Sequence, residues 1–534
     1  MPRSGSPGAL LVLSLCGPLA ACGAPEPGAS PPPEAPALAQ PERPSFERPP
    51  NLVLILADDL GYGTLASYGG REIATPQLDR MAAEGMRFLD FHAGASTCAP
   101  SRSSLMTGQH TGHTPVRSNS AYPRPGDSSL PGSAITIAEL LRDAGYATAA
   151  IGKWGLGHVG TGGAPTAQGF DSFYGYLDQL LAHNSFPEFL WRNDRPVRLR
   201  NEIVPQRSRT GAVGSYATKK VDYANDLFTE EALAFIEREA ARPFFLYLSY
   251  TVPHLNGEAP PGQQAEVPSL EPYAERDWPE QRKGYAAMIS RLDRDVGRIL
   301  RKLAELGLER DTLVLFTSDN GASDSPDVRF FAANGSLRGG KFDLYEGGIR
   351  VPLLARWPGR VPASSTSERS FAQWDVMATF ADLAAVPPPP GTDGISFLPT
   401  LLGRQQPERD FLYWEEPSPR VEPELRGGVQ VSKQGRWKAF HFLHTDRFEL
   451  YDLEQDPGET RDVAKLHPDR LAAMQEKMRV AHSPAPDFPL LPEERDLVYR
   501  IRRLVFHLGA AGSRLLDSMR SRAQASRSEQ PAES

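Results

Sequence analysis

From Asn51 onward the chain alternates short, continuous apolar runs with longer stretches whose apolar residues recur at helical spacing. The first run, NLVLILA, has no polar interruption, as expected of a strand buried on both faces. An amphipathic helix is predicted over 76–85, with Thr75 as its N-cap, followed by a strand over 86–91. The alternation continues with a helix at 135–144 before a strand at 146–151, and a helix at 221–241 before 244–250. A further helix at 281–306 precedes 312–317. Helices alternating with buried strands predict an α/β fold, a large and mostly parallel central sheet with helices on both faces.

After about Leu402 the texture changes. FLYWEE, RWKAFHF and the run at 449–453 are short and strand-like, and one helix is expected at 467–481. This pattern predicts a smaller antiparallel sheet with a covering helix. The organisation expected is a leader (1–21), a Pro-rich tether (22–50), a catalytic domain (51–402) and a C-terminal subdomain (403–482). A basic tail (483–534) follows, for which helix and disorder both stay open.

Composition narrows the picture without deciding it. Of 534 residues, 40% are apolar, enough for a sizeable core. The net charge of −8 carries no polybasic signal for nucleic acid. The three cysteines, Cys16, Cys22 and Cys98, cannot build a disulfide framework. Two of them lie at the amino end. The apolar run ALLVLSLCGPLAA follows Arg3, is too short to span a bilayer comfortably, and has the form of a signal-peptide core. It ends in Leu19-Ala20-Ala21-Cys22, which resembles a bacterial lipobox and would make Cys22 a lipidated first residue. A plain signal peptide cut near Ala21 is the alternative. The expectation is export and lipid anchoring in a bacterial cell envelope, with no later transmembrane segment.

Chemistry collects where the strands end. NLVLILA runs into Asp58-Asp59, YATAAIG into Lys153, FFLYLSYTVP into His254, and TLVLFTS into Asp319-Asn320. Open α/β sheets bind ligands outside the carboxyl ends of their strands. A single charged residue after a strand is usually a solvated loop, and an isolated Asp-Asp is usually a turn. Four such ends together point to a site. Asp58, Asp59, Asp319 and Asn320 are hard oxygen donors, suited to Ca²⁺ or Mg²⁺ rather than Zn²⁺.

The segment Cys98-Ala99-Pro100-Ser101-Arg102 resembles the C-x-P-S-R signature of type I sulfatases, in the alkaline phosphatase superfamily. The resemblance extends over most of 51–482 through ADDLGYG, GKWGLG, TVPH, TSDNG and GGKFDLYEGGIRVP. It implies that a formylglycine-generating enzyme oxidises Cys98 to formylglycine, whose hydrate offers two hydroxyls on one carbon. It further implies that Asp58, Asp59, Asp319, Asn320 and the residue made from Cys98 hold calcium, and that Asp319 is the base for the attacking hydroxyl. Arg102 would hold the hydrate, Lys153 and Lys341 would bind sulfate oxygens, and His254 with Lys341 would protonate the leaving alcohol. The run SRSSLMTG reads as the first turns of a helix, whose N-terminus would seat a sulfate.

One position departs from the pattern. Many sulfatases read G-K-W-H-L-G, with a histidine that helps eliminate sulfate from the nucleophile, where this chain has Gly155. His158 and His183 are candidate substitutes or substrate contacts. The resemblance implies hydrolysis of a sulfate ester, with a sulfated carbohydrate as the expected substrate. A formylglycine-dependent phosphodiester or phosphonate hydrolase is one alternative. A non-catalytic glycan-binding lipoprotein with an inert Cys98 thiol is another.

Overall fold

The computed structural model describes residues 48–119, 129–207, 213–417 and 428–494. The leader, Cys22, most of the tether and the tail from 495 lie outside the described residues. Ten strands form the main sheet. They are β1 (Asn51–Ala57), β2 (Met86–Phe88), β3 (Ala147–Lys153), β4 (Ser172–Tyr176), β5 (Phe189–Arg192), β6 (Arg195–Arg198), β7 (Phe244–Ser249), β8 (Thr312–Ser318), β9 (Leu353–Arg356) and β10 (Ser365–Ser367). Their order is β10-β2-β9-β8-β1-β7-β3-β4-β5-β6. The centre, β8-β1-β7-β3-β4, is parallel, while β9 and β2 on one side and β5 and β6 on the other introduce antiparallel pairs.

Alternate residues of β1 serve two separate cores. Val53, Ile55 and Ala57 pack with helices α1 (Pro76–Ala83), α4 (Ala224–Glu239) and α5 (Glu280–Glu305). Leu52, Leu54 and Leu56 face the other way, among residues of α2 (Cys98–Thr107), α3 (Ile137–Asp143) and α6 (Asp375–Leu383). This two-sided burial is why the strand reads as an unbroken apolar run. Each fully buried leucine contributes about 1.5–3 kcal/mol relative to exposure.

Register sets the site. Ala57 pairs with Ser318, Leu56 with Ser249, and Ser249 with Gly152. The carboxyl ends of β1, β7, β3 and β8 are therefore nearly flush, and Asp58, Lys153 and Asp319 emerge side by side.

A four-stranded antiparallel sheet follows: β11 (Leu412–Glu416), β12 (Val429–Gln434), β13 (Trp437–Phe442) and β14 (Arg447–Asp452). Helix α7 (Pro468–Ala481) covers one face with Met474, Met478 and Ala481. The other face packs Trp414, Val431 and Phe440 against Ile349 and Trp374. A buried ion pair, Lys438 Nζ to Glu346 Oε1 at 2.8 Å, crosses the same boundary.

The local departures from expectation have physical causes. The apolar run over 86–91 is split by Asp90 into β2 and a two-residue strand, Phe91–His92, that joins a different sheet. Helix α1 ends at Ala83, and Thr75 does not cap it with its side chain. Its hydroxyl instead donates to Asp79. Helix α3 begins at Ile137, because Thr136 and Glu139 form a reciprocal capping box.

Candidate active site

Helix α2 starts at Cys98, directly over the flush strand ends, and all ten of its residues are buried. A helix buried all round has no amphipathic stripe. CAPSRSSLMT has none, because Ser101, Ser103 and Arg102 make their hydrogen bonds inside the protein and Ser104 is buried as well. Ser101 Oγ lies within hydrogen-bond distance of both the Asp319 carbonyl and Gln373 Oε1, to one of which its single proton is donated. The Arg102 guanidinium donates from Nη2 to Asp319 Oδ2 at 2.7 Å and from Nη1 to the Lys153 carbonyl at 2.8 Å, and it also meets Ser249 Oγ. Buried charge is tolerated only when paired and hydrogen-bonded, and Arg102 is both.

The residues singled out in the sequence assemble around this helix end. Cys98 Sγ lies 3.4 Å from Asp58 Oδ1. Lys153 Nζ is 2.6 Å from Asp58 Oδ2, and Lys341 Nζ is 2.8 Å from Asp59 Oδ1. Lys341 arrives from a loop rather than a strand end, held by its N–H to the Ala322 carbonyl. His254 Nε2 is 3.6 Å from Asp59 Oδ2. Asp59 adopts φ +67°, a left-handed conformation that places its N–H on Asp319 Oδ1 at 3.1 Å. Non-glycine residues held there are concentrated at functional sites.

Burial and charge pull these groups apart in proton affinity. Burial works to raise Asp58, but Lys153, His254, Arg102 and Lys341 outweigh it and hold the carboxylate well below its usual range. At Asp319 burial prevails, reinforced by Asp58, and moves the carboxyl up to about 6 against Arg102 and Lys153. Burial and Asp58 push the Cys98 thiol far up, so the unmodified side chain is a poor nucleophile. Burial, Lys341 and His183 keep the His254 imidazole well below its ordinary value.

Asp58, Asp59, Cys98 and Asp319 each turn one ligand atom inward, all within 4.8 Å of one another. Asn320 adds an informative orphan. Its Nδ2 donates to Asp59 Oδ1 at 2.7 Å, while its Oδ1 is buried with no hydrogen-bond partner. A carbonyl oxygen left this way beside three carboxylates is suited to a hard cation.

Two other clusters of potential ligands lack this character. Around Asp90, His92 and Glu346, the carboxylates are already met by Lys433 at 2.6 Å and Lys438 at 2.8 Å. In the His110–His113–Asp393 group, His110 Nδ1 accepts from Gly112 N. The proton of the neutral ring therefore sits on Nε2, the atom that faces Asp393. Burial holds that ring neutral, moving it down to about 3.

His183 stacks on His254 at 4.3 Å between ring centroids, with Nδ1 2.8 Å from Glu258 Oε2. His158 lies in a turn, where its N–H donates to Thr161 Oγ1 and its carbonyl accepts from the same hydroxyl. The α2 N-terminus offers less than the sequence suggests. Ala99 N is taken by Asn119 Oδ1 and Pro100 has no N–H, so two of the first-turn positions have no amide to offer a ligand. Sequence reading missed Glu258, Gln373, Tyr247, whose hydroxyl accepts from Arg102 Nη1, and Ser249. The last two lie inside apolar strand β7 and showed no separable signal.

An α/β sheet whose flush strand ends gather carboxylates, lysines and a histidine over a C-x-P-S-R helix has the architecture of a sulfate ester hydrolase. Residues 50–386 match the family model described as Sulfatase. Residues 340–482 match that described as N-sulphoglucosamine sulphohydrolase, C-terminal. The chain belongs to the sulfatase family. It is 35% identical to arylsulfatase A of Homo sapiens over 472 residues, 80% of this chain and 87% of the relative. It is 30% identical to the N-acetylgalactosamine-6-O-sulfatase of Bacteroides thetaiotaomicron over 504 residues, 80% of this chain and 92% of the relative. Among solved structures, Ps i-CgsB superposes with a TM-score of 0.68 at 27% identity, covering 85% of this chain and 98% of that one. The enzyme is a sulfatase, with the alkaline phosphatase-like sheet of that family.

Proposed function

We propose that this sulfatase removes sulfate from a sulfated carbohydrate, using a formylglycine made from Cys98 and a bound calcium ion. The observation that carries the reading is the convergence of Asp58, Asp59, Cys98 and Asp319 within 4.8 Å, beside the unpartnered Asn320 Oδ1. With formylglycine in place of the thiol, every donor is an oxygen, which favours calcium over zinc. Carbohydrate is supported by the N-acetylgalactosamine-6-sulfatases among the relatives and by a structure of Ps i-CgsB with k-i-k-neocarrahexaose.

When present, the hydrated aldehyde supplies the attacking hydroxyl and a second hydroxyl through which sulfate is later released, and calcium polarises a sulfate oxygen. The chain's own residues do the rest. Arg102, fixed by Asp319 and the Lys153 carbonyl, holds positive charge beneath residue 98. Asp319, whose Oδ1 accepts from Asp59 N and whose Oδ2 accepts from Arg102, is the base for the hydroxyl proton. Lys153 and Lys341 are buried cations within reach of the sulfate oxygens, each parked on a carboxylate. Lys341, kept protonated by Asp59 against the opposing effect of burial, carries the proton for the leaving alcohol, and the neutral His254 shares the Asp59 carboxylate with it. His183, oriented by Glu258, walls His254 on one side.

A formylglycine-generating enzyme is the implied maturation partner. Export and anchoring through Cys22 in a bacterial envelope complete the proposal, supported by the leader and its Leu-Ala-Ala-Cys end. The test is a panel of sulfated monosaccharides, with a phosphodiester and a phosphonate monoester beside them. Sulfate release that disappears in Cys98→Ala and on chelation, and returns with calcium, is the expected result. Phosphorus esters cleaved in preference to every sulfate would overturn it.

A further inference from the structure

Gly155, where many sulfatases carry histidine, is not an open gap in this fold. A Cβ built there would fall 1.9 Å from Gln179 Nε2, 2.5 Å from its Cδ and 3.1 Å from its Cγ. All three contacts belong to one side chain, and Gly155 itself sits at φ +73°, a conformation that suits glycine. Gln179 Nε2 also donates to the Gly155 carbonyl at 3.3 Å.

Gln179 is held in place from both sides. It follows β4, and the Asp178 carboxylate next to it accepts from Leu180 N at 2.7 Å and Leu181 N at 2.9 Å. That turn leads directly into His183, which stacks on His254. On the other side, Gly155 lies two residues beyond Lys153, and its N–H extends the ladder to the Leu177 carbonyl. Trp154 points into the core beside Phe170, between Lys153 and Gly155 in the chain. Gln179 thus packs on Gly155, two residues beyond the lysine that meets Asp58, and lies in the turn leading to the histidine that stacks on His254.

We propose that the Gln179 carboxamide occupies the space of the side chain missing at residue 155 and positions the alcohol portion of the substrate by hydrogen bonding to a hydroxyl. The proposal rests on the sulfatase reading and requires a substrate that keeps a free hydroxyl within reach of Gln179. A carboxamide offers a donor and an acceptor but takes up no proton near neutrality, so Gln179 is a positioning residue and not a replacement base.

The experiment compares wild type, Q179A, G155H and the double variant with two probes. N-acetylgalactosamine 6-sulfate presents hydroxyls beside the ester, and 4-nitrophenyl sulfate presents none. For the sugar, Q179A should raise KM about three- to tenfold with kcat within about twofold, the scale of one neutral hydrogen bond. For the aryl ester both constants should stay near wild type. Thermal unfolding tests the shared space without any substrate: G155H should lower the melting temperature by more in wild type than in the Q179A background. Equal effects of Q179A on the two probes, a fall in kcat alone, or additive melting shifts would each overturn the proposal. A wild type that cleaves neither probe would count against N-acetylgalactosamine 6-sulfate as its substrate, and the comparison then moves to the sulfated sugar it does cleave, while the melting cycle decides whether residues 155 and 179 compete for one space.

Discussion

Lys153 Nζ lies 2.6 Å from Asp58 Oδ2, with both side chains 1% exposed. Removing one partner of such a pair leaves an uncompensated buried charge, which costs about 3–5 kcal/mol. In chelator, Lys153→Ala should therefore lower the free energy of unfolding by about that amount, because Lys153 makes the close ion pair with Asp58 Oδ2 while Arg102 Nη2 is 3.9 Å away. A cation held by Asp58 supplies the missing charge, so calcium should recover much of the loss while activity stays low. Denaturant titrations with and without calcium check this. Equal losses in both conditions would mean that Asp58 does not face a metal.

A pH-dependent clasp ties the end of α7 to the chain beyond it. His482 Nδ1 is 2.7 Å from Glu415 Oε2, and Nε2 is 2.5 Å from Glu494 Oε1, with the imidazole 6% exposed. Burial opposes the charged form, but the two glutamates outweigh it and raise the histidine above its ordinary value. The proton is thus bound more tightly folded than unfolded. The stabilisation is complete below the unfolded value and is lost as pH rises through the raised one. His482→Ala should cost about 2 kcal/mol near pH 6 and clearly less near pH 9. Melting temperatures of the two proteins across that range provide the check, and a constant gap would rule out the clasp.

Lipidation at Cys22 predicts a partition. The full-length protein expressed in a bacterial host should sediment with membranes, and Cys22→Ser should appear in the soluble fraction or remain unprocessed. More than one acyl chain is needed for firm anchoring, so a wild type found wholly soluble would exclude the lipid anchor. The hydrolase chemistry would be untouched by that result.

What the sequence disclosed and withheld follows from how far apart the interacting residues lie. Asp58-Asp59, Lys153, His254 and Asp319-Asn320 were legible because each directly follows an apolar run, and register alone makes those strand ends flush. The clamp on Arg102 was not legible, since Tyr247 and Ser249 are polar positions within an otherwise apolar strand, and their partner is 145 and 147 residues away. Strand β12, VQVSKQ, was overlooked because it looks polar. Its Gln430 and Lys433 are nonetheless buried, donating to Tyr413 Oη and Asp90. The strands at 189–198 were hidden by their arginines, which the sheet edge leaves exposed. Gln179 carried no motif of its own, and only the missing Cβ at Gly155, seen in three dimensions, gives it meaning.

The central claim turns on what residue 98 is in the active enzyme. The Cys98 thiol is buried 3.4 Å from Asp58 and pushed up in proton affinity, which leaves it unreactive as a sulfur nucleophile. The most direct test is mass spectrometry of the peptide containing Cys98, from protein co-expressed with a formylglycine-generating enzyme. Peptide mass and sulfate release should be measured on the same preparations. The account predicts a peptide lighter by the exchange of a thiol for an aldehyde oxygen, with turnover proportional to the converted fraction. A preparation whose residue 98 is entirely unconverted cysteine, yet which releases sulfate at full rate, would contradict it.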